Sequence, residues 1–297
     1  MSASAPMSTR RRVLQQLALL ASAGALPGLH AASATGRQRL VSVGGGLTEI
    51  VYLLDASADL VGVDTTSLYP AIAQKLPNVG YARSLSAEGI LALTPTHLLA
   101  SEEAGPPAVL QQVRAAGIPV SVLTSNHRFE GLLERIKRVG EITGRAQQAT
   151  QHSQRLQQEW NTTTAAITAR KRTPPKVLFV LAHSPNQIMV SGQGTGADAM
   201  IAYAGGKNAI SGFDGYKPLT PEAAIAAQPD LILLTDQGLT ASGGVDSILR
   251  LPGLANTPAG QARRVISQDA VFMLGFGPRL PAAVRALDAA FSKALSA

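Results

Sequence analysis

Leu85-Ser86-Ala87-Glu88-Gly89-Ile90-Leu91-Ala92-Leu93-Thr94-Pro95-Thr96-His97-Leu98-Leu99 lies without a gap over Leu219-Thr220-Pro221-Glu222-Ala223-Ala224-Ile225-Ala226-Ala227-Gln228-Pro229-Asp230-Leu231-Ile232-Leu233. Leu, Ser/Thr, Glu, Ala, Pro and a closing apolar strand coincide. Each copy reads as one physical unit. Ser86 or Thr220 caps a helix, and Pro221 takes the first helical position, where a missing N–H costs nothing. Glu88 and Glu222 fall in the first turn, where the helix dipole favours a carboxylate. Pro95 or Pro229 stops the helix, and a buried strand follows. One unit present twice predicts two lobes of like construction. First-turn stabilisation alone accounts for either glutamate. Their matched placement suggests a second role, a pair of exposed carboxylates on one rim that meets a two-fold symmetric basic partner.

Outward from the first copy, strand-like and helix-like pieces alternate. Leu40-Val41-Ser42-Val43 is a short apolar strand, followed by Gly44-Gly45-Gly46 and an amphipathic helix, Leu47 to Leu54, carrying Thr48 and Glu49. Leu60-Val61-Gly62-Val63, Leu98-Leu99-Ala100 and Val120-Ser121-Val122-Leu123 read as further strands, the last two separated by a helix from Pro107 to Ala116. This alternation predicts a parallel α/β sheet. From Phe129 to about Lys171 no strand pattern appears. Gly140 and Gly144 punctuate the segment, which predicts a short helix and then a long one, Arg145 to Arg170, spanning about 39 Å. Pro174-Pro175 cannot continue a helix, and the α/β alternation restarts at Val177-Leu178-Phe179-Val180-Leu181. The expected division is a cleaved signal peptide over 1–34, an N-terminal lobe over 35–143, an interlobe helix over 144–173 and a C-terminal lobe over 174–297.

The signal is expected from Arg10, Arg11 and Arg12, the apolar stretch Val13 to Ala25, and the small-residue cleavage site Ala32-Ser33-Ala34. Thr9 to Leu14 is loosely twin-arginine in character, and Sec export is equally allowed. Removing residues 1–34 takes away three arginines and no acid, which lowers the net charge from +7 to +4. What remains is mildly basic with no concentrated Lys/Arg run. That argues against nucleic-acid binding and suits an anionic ligand. The 297 residues are 45% hydrophobic and 15% charged, enough for a sizeable core. With no cysteine there is no disulfide and no thiolate ligand, and no lipid anchor is expected. Outside the signal, no run of 18 apolar residues occurs.

Upstream of each glutamate lies a second correspondence, Gly80-Tyr81-Ala82-Arg83 and Gly215-Tyr216-Lys217-Pro218. Each reads as a loop after an extended stretch, with a cation beside the tyrosine. Loops at strand ends facing an interlobe cleft are where ligands bind. A neighbouring cation favours phenolate, and phenolate is a hard oxygen donor that suits ferric iron. A lone Tyr in a Gly loop is more often a packing residue. His183 ends the first strand of the second lobe in another strand-end loop, His97 reads as packing, and His127 and His152 as exposed or helix-surface residues. The chain carries no His-Glu-x-x-His, no Gly-x-Ser-x-Gly elbow and no phosphate-binding loop. Gly192-Gln193-Gly194-Thr195-Gly196-Ala197-Asp198 reads as a turn opening a helix from Ala197 to Tyr203. No nucleophile–base or metal constellation points to an enzyme.

Taken with Asp64-Thr65-Thr66-Ser67, the run Leu76 to Gly89, Gly194 to Met200, Gly215 to Leu219 and Gly275-Phe276-Gly277-Pro278-Arg279, these residues resemble the haem-binding periplasmic proteins of bacterial haem ABC importers (the HmuT, ShuT and PhuT type). The similarity runs over nearly all of the mature chain. The Gly-Tyr-x-Arg-x-Leu-Ser-x-Glu-Gly string is the more specific part; the two-lobe pattern is shared with cobalamin and siderophore binders. The resemblance implies two α/β lobes, each a mainly parallel sheet flanked by helices, joined by one long rigid helix with the ligand cleft between them. It implies haem edge-on in that cleft, Tyr81 as the iron ligand with Arg83 beside it, and His183 or Tyr216 as a second ligand or cleft residue. Glu88 and Glu222 are then expected to dock on arginines of a permease dimer, and Arg279, whose guanidinium can fork onto a carboxylate, to hold a propionate. The expected function is capture of haem in the periplasm and delivery to an inner-membrane ABC importer by a monomer that is not an enzyme. Binding of another iron chelate or a corrinoid is the alternative, and a periplasmic enzyme the more distant one.

Overall fold

The computed structural model describes residues 38–184 and 187–296, with no side-chain description for 183, 184 and 187; the expected signal peptide lies outside the described residues. The chain from Gln38 onward is one compact unit. Its first half builds a four-stranded parallel sheet from β1 (Leu40–Val43), β2 (Leu60–Val63), β5 (His97–Ser101) and β6 (Val120–Leu123), in the order β2-β1-β5-β6. Every pairing is parallel because the chain returns through a crossover each time, as in α1 (Gly45–Leu53) and α3 (Pro107–Ala115). All of β1 is buried, as expected of a strand covered on both faces. Between β2 and β5 sit a small antiparallel hairpin, β3 (Gly80–Tyr81) with β4 (Ser84–Leu85), and the short helix α2 (Ala87–Leu91).

Two helices follow, α4 (Phe129–Thr143) and α5 (Ala146–Thr168). The left-handed Gly144 (φ 69°) ends α4, a conformation glycine adopts without steric cost. A Cβ on Gly140 would lie 2.5 Å from the Ala149 methyl, so glycine lets the two helices approach closely. The 23 residues of α5 span about 35 Å. The helix stops two residues before the expected Arg170, a difference of the size that fraying ends produce.

The second half forms a mixed sheet in the order β10-β8-β7-β11-β12, from β7 (Lys176–Ser184), β8 (Gln187–Ser191), β10 (Tyr216–Pro218), β11 (Leu231–Thr235) and β12 (Val265–Gln268), with β9 (Lys207–Asn208) pairing β7. β7, β11 and β12 are parallel, as expected, but β8 and β10 add an antiparallel edge. The helices that bear on the site are α6 (Gly196–Tyr203), α7 (Pro221–Ala227), α8 (Asp236–Ala241), α9 (Ala270–Leu274) and α10 (Leu280–Ser296).

The lobes share one apolar core, which includes Leu40, Leu54 and Phe129 from the first half, Leu156 and Trp160 from α5, and Phe179, Tyr203 and Phe291 from the second. Trp160 stacks flat on Phe129 at 4.7 Å and meets Tyr203 edge-on at 4.8 Å. One side chain of the connecting helix therefore touches both lobes.

Candidate functional site

A cavity of about 640 Å³ opens between the lobes at the carboxyl ends of both sheets, the position where open α/β folds bind ligands. Gly44 to Leu47, Tyr81 to Arg83, Glu102, Glu103, Ser125, His127 and Arg135 line it from the first lobe, and Gly194 to Gly196, Tyr216, Thr235, Gly238, Val271 and Leu274 from the second.

Tyr81 sits on the β3–β4 hairpin and is 45% exposed. Gly80 enters that hairpin at φ 101°, with its N–H donated to Asn78 Oδ1 at 2.7 Å. Ala82 and Arg83 form the two-residue turn, so Arg83 follows Tyr81 into the same cavity wall. Its guanidinium donates to Glu103 at 2.8 Å, a bond that raises the Arg83 pKa. Both partners are more than half exposed. Such a pair contributes about 0–1 kcal/mol, so Arg83 can turn to a ligand anion at small cost.

Tyr216 faces this group from β10, not from a loop as the sequence suggested, and pairs with Ser191 of β8. Its phenol pKa is raised: burial dominates, and the Thr195 hydroxyl and the Arg83 charge offset it only in part. The expected preference for phenolate next to a cation is therefore reversed at Tyr216. Thr195 caps α6 and bonds Ser191 Oγ at 2.5 Å. The side chain of His183 lies outside the described residues.

Arg279 is not among the cavity-lining residues. It forks onto Glu49 of α1 at 2.9 and 2.5 Å, and Tyr69 and Phe272 cover its guanidinium at 3.9 and 4.9 Å. The fork expected for a propionate is engaged within the protein. Beside it the lobes meet backbone to backbone, since a Cβ on Gly46 would lie 2.2 Å from the Gly275 carbonyl oxygen. The cleft floor is thus closed by glycines and stapled by a partly buried interlobe ion pair.

Glu88 and Glu222 are both exposed, in the first turns of α2 and α7, with Ser86 and Thr220 as side-chain caps. Neither glutamate has an ion-pair partner among the described residues.

Three features of the site gained no role in it from the sequence. Asp64, 1% exposed, accepts from Gly44 N, Thr66 N, Thr66 Oγ1 and Ser67 Oγ, and so fixes the glycine floor to the Thr66 wall. Arg135, on the first helix of the strand-free segment, is 5% exposed and pairs with Glu102 at 3.0 Å. Burial opposes the Glu102 charge, but Arg135, Thr124 and Ser125 outweigh it and hold the carboxyl below its usual range. His127, expected on the surface, lines the cavity. His97, as expected, is a packing residue; it bonds Ser121 at 2.9 Å, and burial lowers its pKa.

A family described as periplasmic binding protein matches residues 40–271. The chain belongs to that family. Among solved periplasmic binding proteins, it is 47% identical to the periplasmic heme-binding protein BhuT in complex with two hemes, over 88% of this chain and 100% of that one, with a TM-score of 0.84. It is 41% identical to the periplasmic heme-binding protein RhuT from Roseiflexus sp. RS-1, with the same coverage and TM-score. Two relatives are more distant. The uncharacterized ABC transporter substrate-binding lipoprotein YvrC of Bacillus subtilis is 26% identical, over 82% of this chain and 76% of its own length. A vitamin B12-binding protein of Yersinia pestis is 26% identical, over 67% and 69%.

Proposed function

We propose that this periplasmic binding protein captures haem in its interlobe cleft and delivers it to an inner-membrane ABC importer. One observation carries the reading: the Tyr81–Ala82–Arg83 turn sets a phenol and an exposed guanidinium side by side on the wall of a cavity of ligand size. Ferric iron takes an anionic oxygen donor, and a guanidinium stabilises that anion. Identities of 47% and 41% with two heme-binding proteins, each covered in full, support the ligand class. Tyr81 is the iron ligand, Arg83 its electrostatic partner, and Tyr216 a protonated cleft residue across from them. Glu88 and Glu222 are the docking carboxylates for the permease dimer. The protein works as a monomer without catalysis, after removal of residues 1–34 and export to the periplasm, with its lobes divided at 143/144 and 173/174.

Titrating the purified protein with hemin and reading the Soret region tests this. Saturable binding is expected, with a charge-transfer band characteristic of tyrosinate ligation. Tyr81→Ala should abolish that band and weaken binding at least about tenfold. An unchanged spectrum in that variant would remove Tyr81 from the iron. The B12-binding relatives favour a second reading, a corrinoid ligand; saturable binding of cyanocobalamin with no hemin binding would establish it instead.

A further inference from the structure

The cavity holds three basic side chains, and two of them are engaged. Arg83 bonds Glu103, and Arg135 donates to Glu102 and to the Leu123 carbonyl. The third, His127, has no hydrogen bond to either ring nitrogen among the described residues; its backbone N–H donates to Ser125 Oγ, and its ring leans on Phe276 at 5.3 Å.

The loop that carries His127 is built with care. Asn126 and His127 both adopt left-handed backbone, at φ 49° and 50°, which side-chain-bearing residues rarely do in succession. The buried Arg135–Glu102 pair holds them there: the Glu102 carboxylate accepts from both the backbone N–H and the hydroxyl of Ser125. Ser125 in turn holds His127, and Thr124 and Asn126 bond each other. Gly131 lets the loop sit directly on α4, since a Cβ there would fall 1.9 Å from the Ser125 carbonyl oxygen. The outcome is an imidazole carried by one lobe and set against the other. A Cβ on Gly196, next to Thr195 and hence to Tyr216, would lie 3.4 Å from its Cδ2 and 3.6 Å from its Nε2. Strain that surrounding structure over-determines is characteristic of functional sites.

We propose that His127 recognises a carboxylate of the bound ligand by a hydrogen bond from its imidazole. The proposal rests on the haem reading, in which the cargo carries two propionates. Tyr81 lies on the β3–β4 hairpin, where the Ala82 carbonyl accepts from Gly105 N beyond β5, and His127 lies on the loop after β6, the next strand of the sheet. The two side chains reach the cavity from separate segments of one lobe, so an iron held at Tyr81 leaves the imidazole free for another part of the ligand. It also supplies a carboxylate contact on the cavity wall, which Arg279, forked onto Glu49, does not line.

The test compares hemin with its dimethyl ester, which keeps the iron and the ring and caps both carboxylates. Wild-type protein, His127→Asn and His127→Gln are titrated with each. Asparagine tolerates the left-handed backbone and is too short to replace the imidazole; glutamine keeps a donor at similar reach. Wild type should prefer hemin to the ester. His127→Asn should bind hemin about tenfold more weakly, the scale of a charge-assisted hydrogen bond, and bind the ester within about twofold of wild type. His127→Gln should recover part of the difference. The bands of bound hemin should keep their positions in all three proteins. Equal weakening for both ligands would reduce His127 to packing, and a shifted Soret or charge-transfer band would move it to the iron; either overturns the proposal. A wild-type protein that binds hemin and ester alike refutes the carboxylate contact alone. One that binds neither refutes the haem reading with it.

Discussion

Burial and its ion pair pull Glu49 in opposite directions. Taking the carboxylate out of water favours the protonated form, and Arg279 favours the charged one. Burial is the larger effect, so the pKa in the folded protein lies above the ordinary 4.5. The folded state then holds this proton more tightly than the unfolded chain. Stability from this group is complete below pH 4.5 and is lost as pH rises through the folded value. Glu49→Gln, neutral throughout, should flatten that part of the pH dependence. Arg279→Met leaves the carboxylate buried without its cation; it should steepen the loss and cost about 2–3 kcal/mol at neutral pH, after allowance for the partial exposure of the arginine. Thermal melts between about pH 4 and pH 8 read both effects, and slopes identical to wild type in the two variants would exclude Glu49 as the titrating group. Glu49, Arg135 and His127 share one reason for escaping the sequence. Each is a polar residue whose local pattern carries no sign of its partner, and each turns inward because a partner far along the chain, or a left-handed backbone, fixes its direction. The placements of Tyr81 and Glu88 were legible because their neighbours in sequence, a positive-φ glycine and a capping serine, define their settings locally.

Among the elements, α5 carries the burden of keeping the cleft in register. Its Trp160 lies between Phe129, the first residue of α4, and Tyr203, the last of α6. A large aromatic removed from such a position leaves a cavity that the flanking rings cannot both fill. Trp160→Ala should therefore cost about 3–5 kcal/mol in denaturant unfolding followed by circular dichroism, with Trp160→Phe retaining most of the stability. A loss below about 1 kcal/mol would show that the rings repack and that α5 is held by its other contacts. The helix was legible as an element because Gly144 and Pro174-Pro175 bracket a strand-free stretch. Its seam was not, since Trp160 gains its meaning from two residues brought in by different lobes. The antiparallel β8 and β10 were missed for a related reason. β10 is only three residues long, and such a strand is stabilised by the edge it joins, not by its own pattern.

At the scale of the molecule, the repeated helix start acquires a direction. In each lobe a cavity-lining tyrosine lies just upstream of a capped helix, Tyr81 before α2 and Tyr216 before α7, and the first turn of that helix carries an exposed glutamate with no partner among the described residues. The ligand wall and the rim carboxylate are thus tied by a few residues in both lobes. The two glutamates are held relative to each other by the shared core, the α5 connection and the Glu49–Arg279 staple. In the docking proposed above, this pair of matched anions meets a two-fold symmetric membrane dimer presenting cations. Because both glutamates are exposed and neither lines the cavity, their removal should leave the cleft untouched. Glu88→Ala combined with Glu222→Ala should keep hemin affinity within about twofold of wild type while lowering transport by a reconstituted importer at least about tenfold, the effect of losing charge-assisted contacts at both ends of the interface. Each single variant should fall between, and raising the salt concentration should weaken the wild-type interaction more than that of the double variant. Transport that persists at the wild-type rate in the double variant would leave the glutamates with their local role alone, stabilising the helix starts on which they sit.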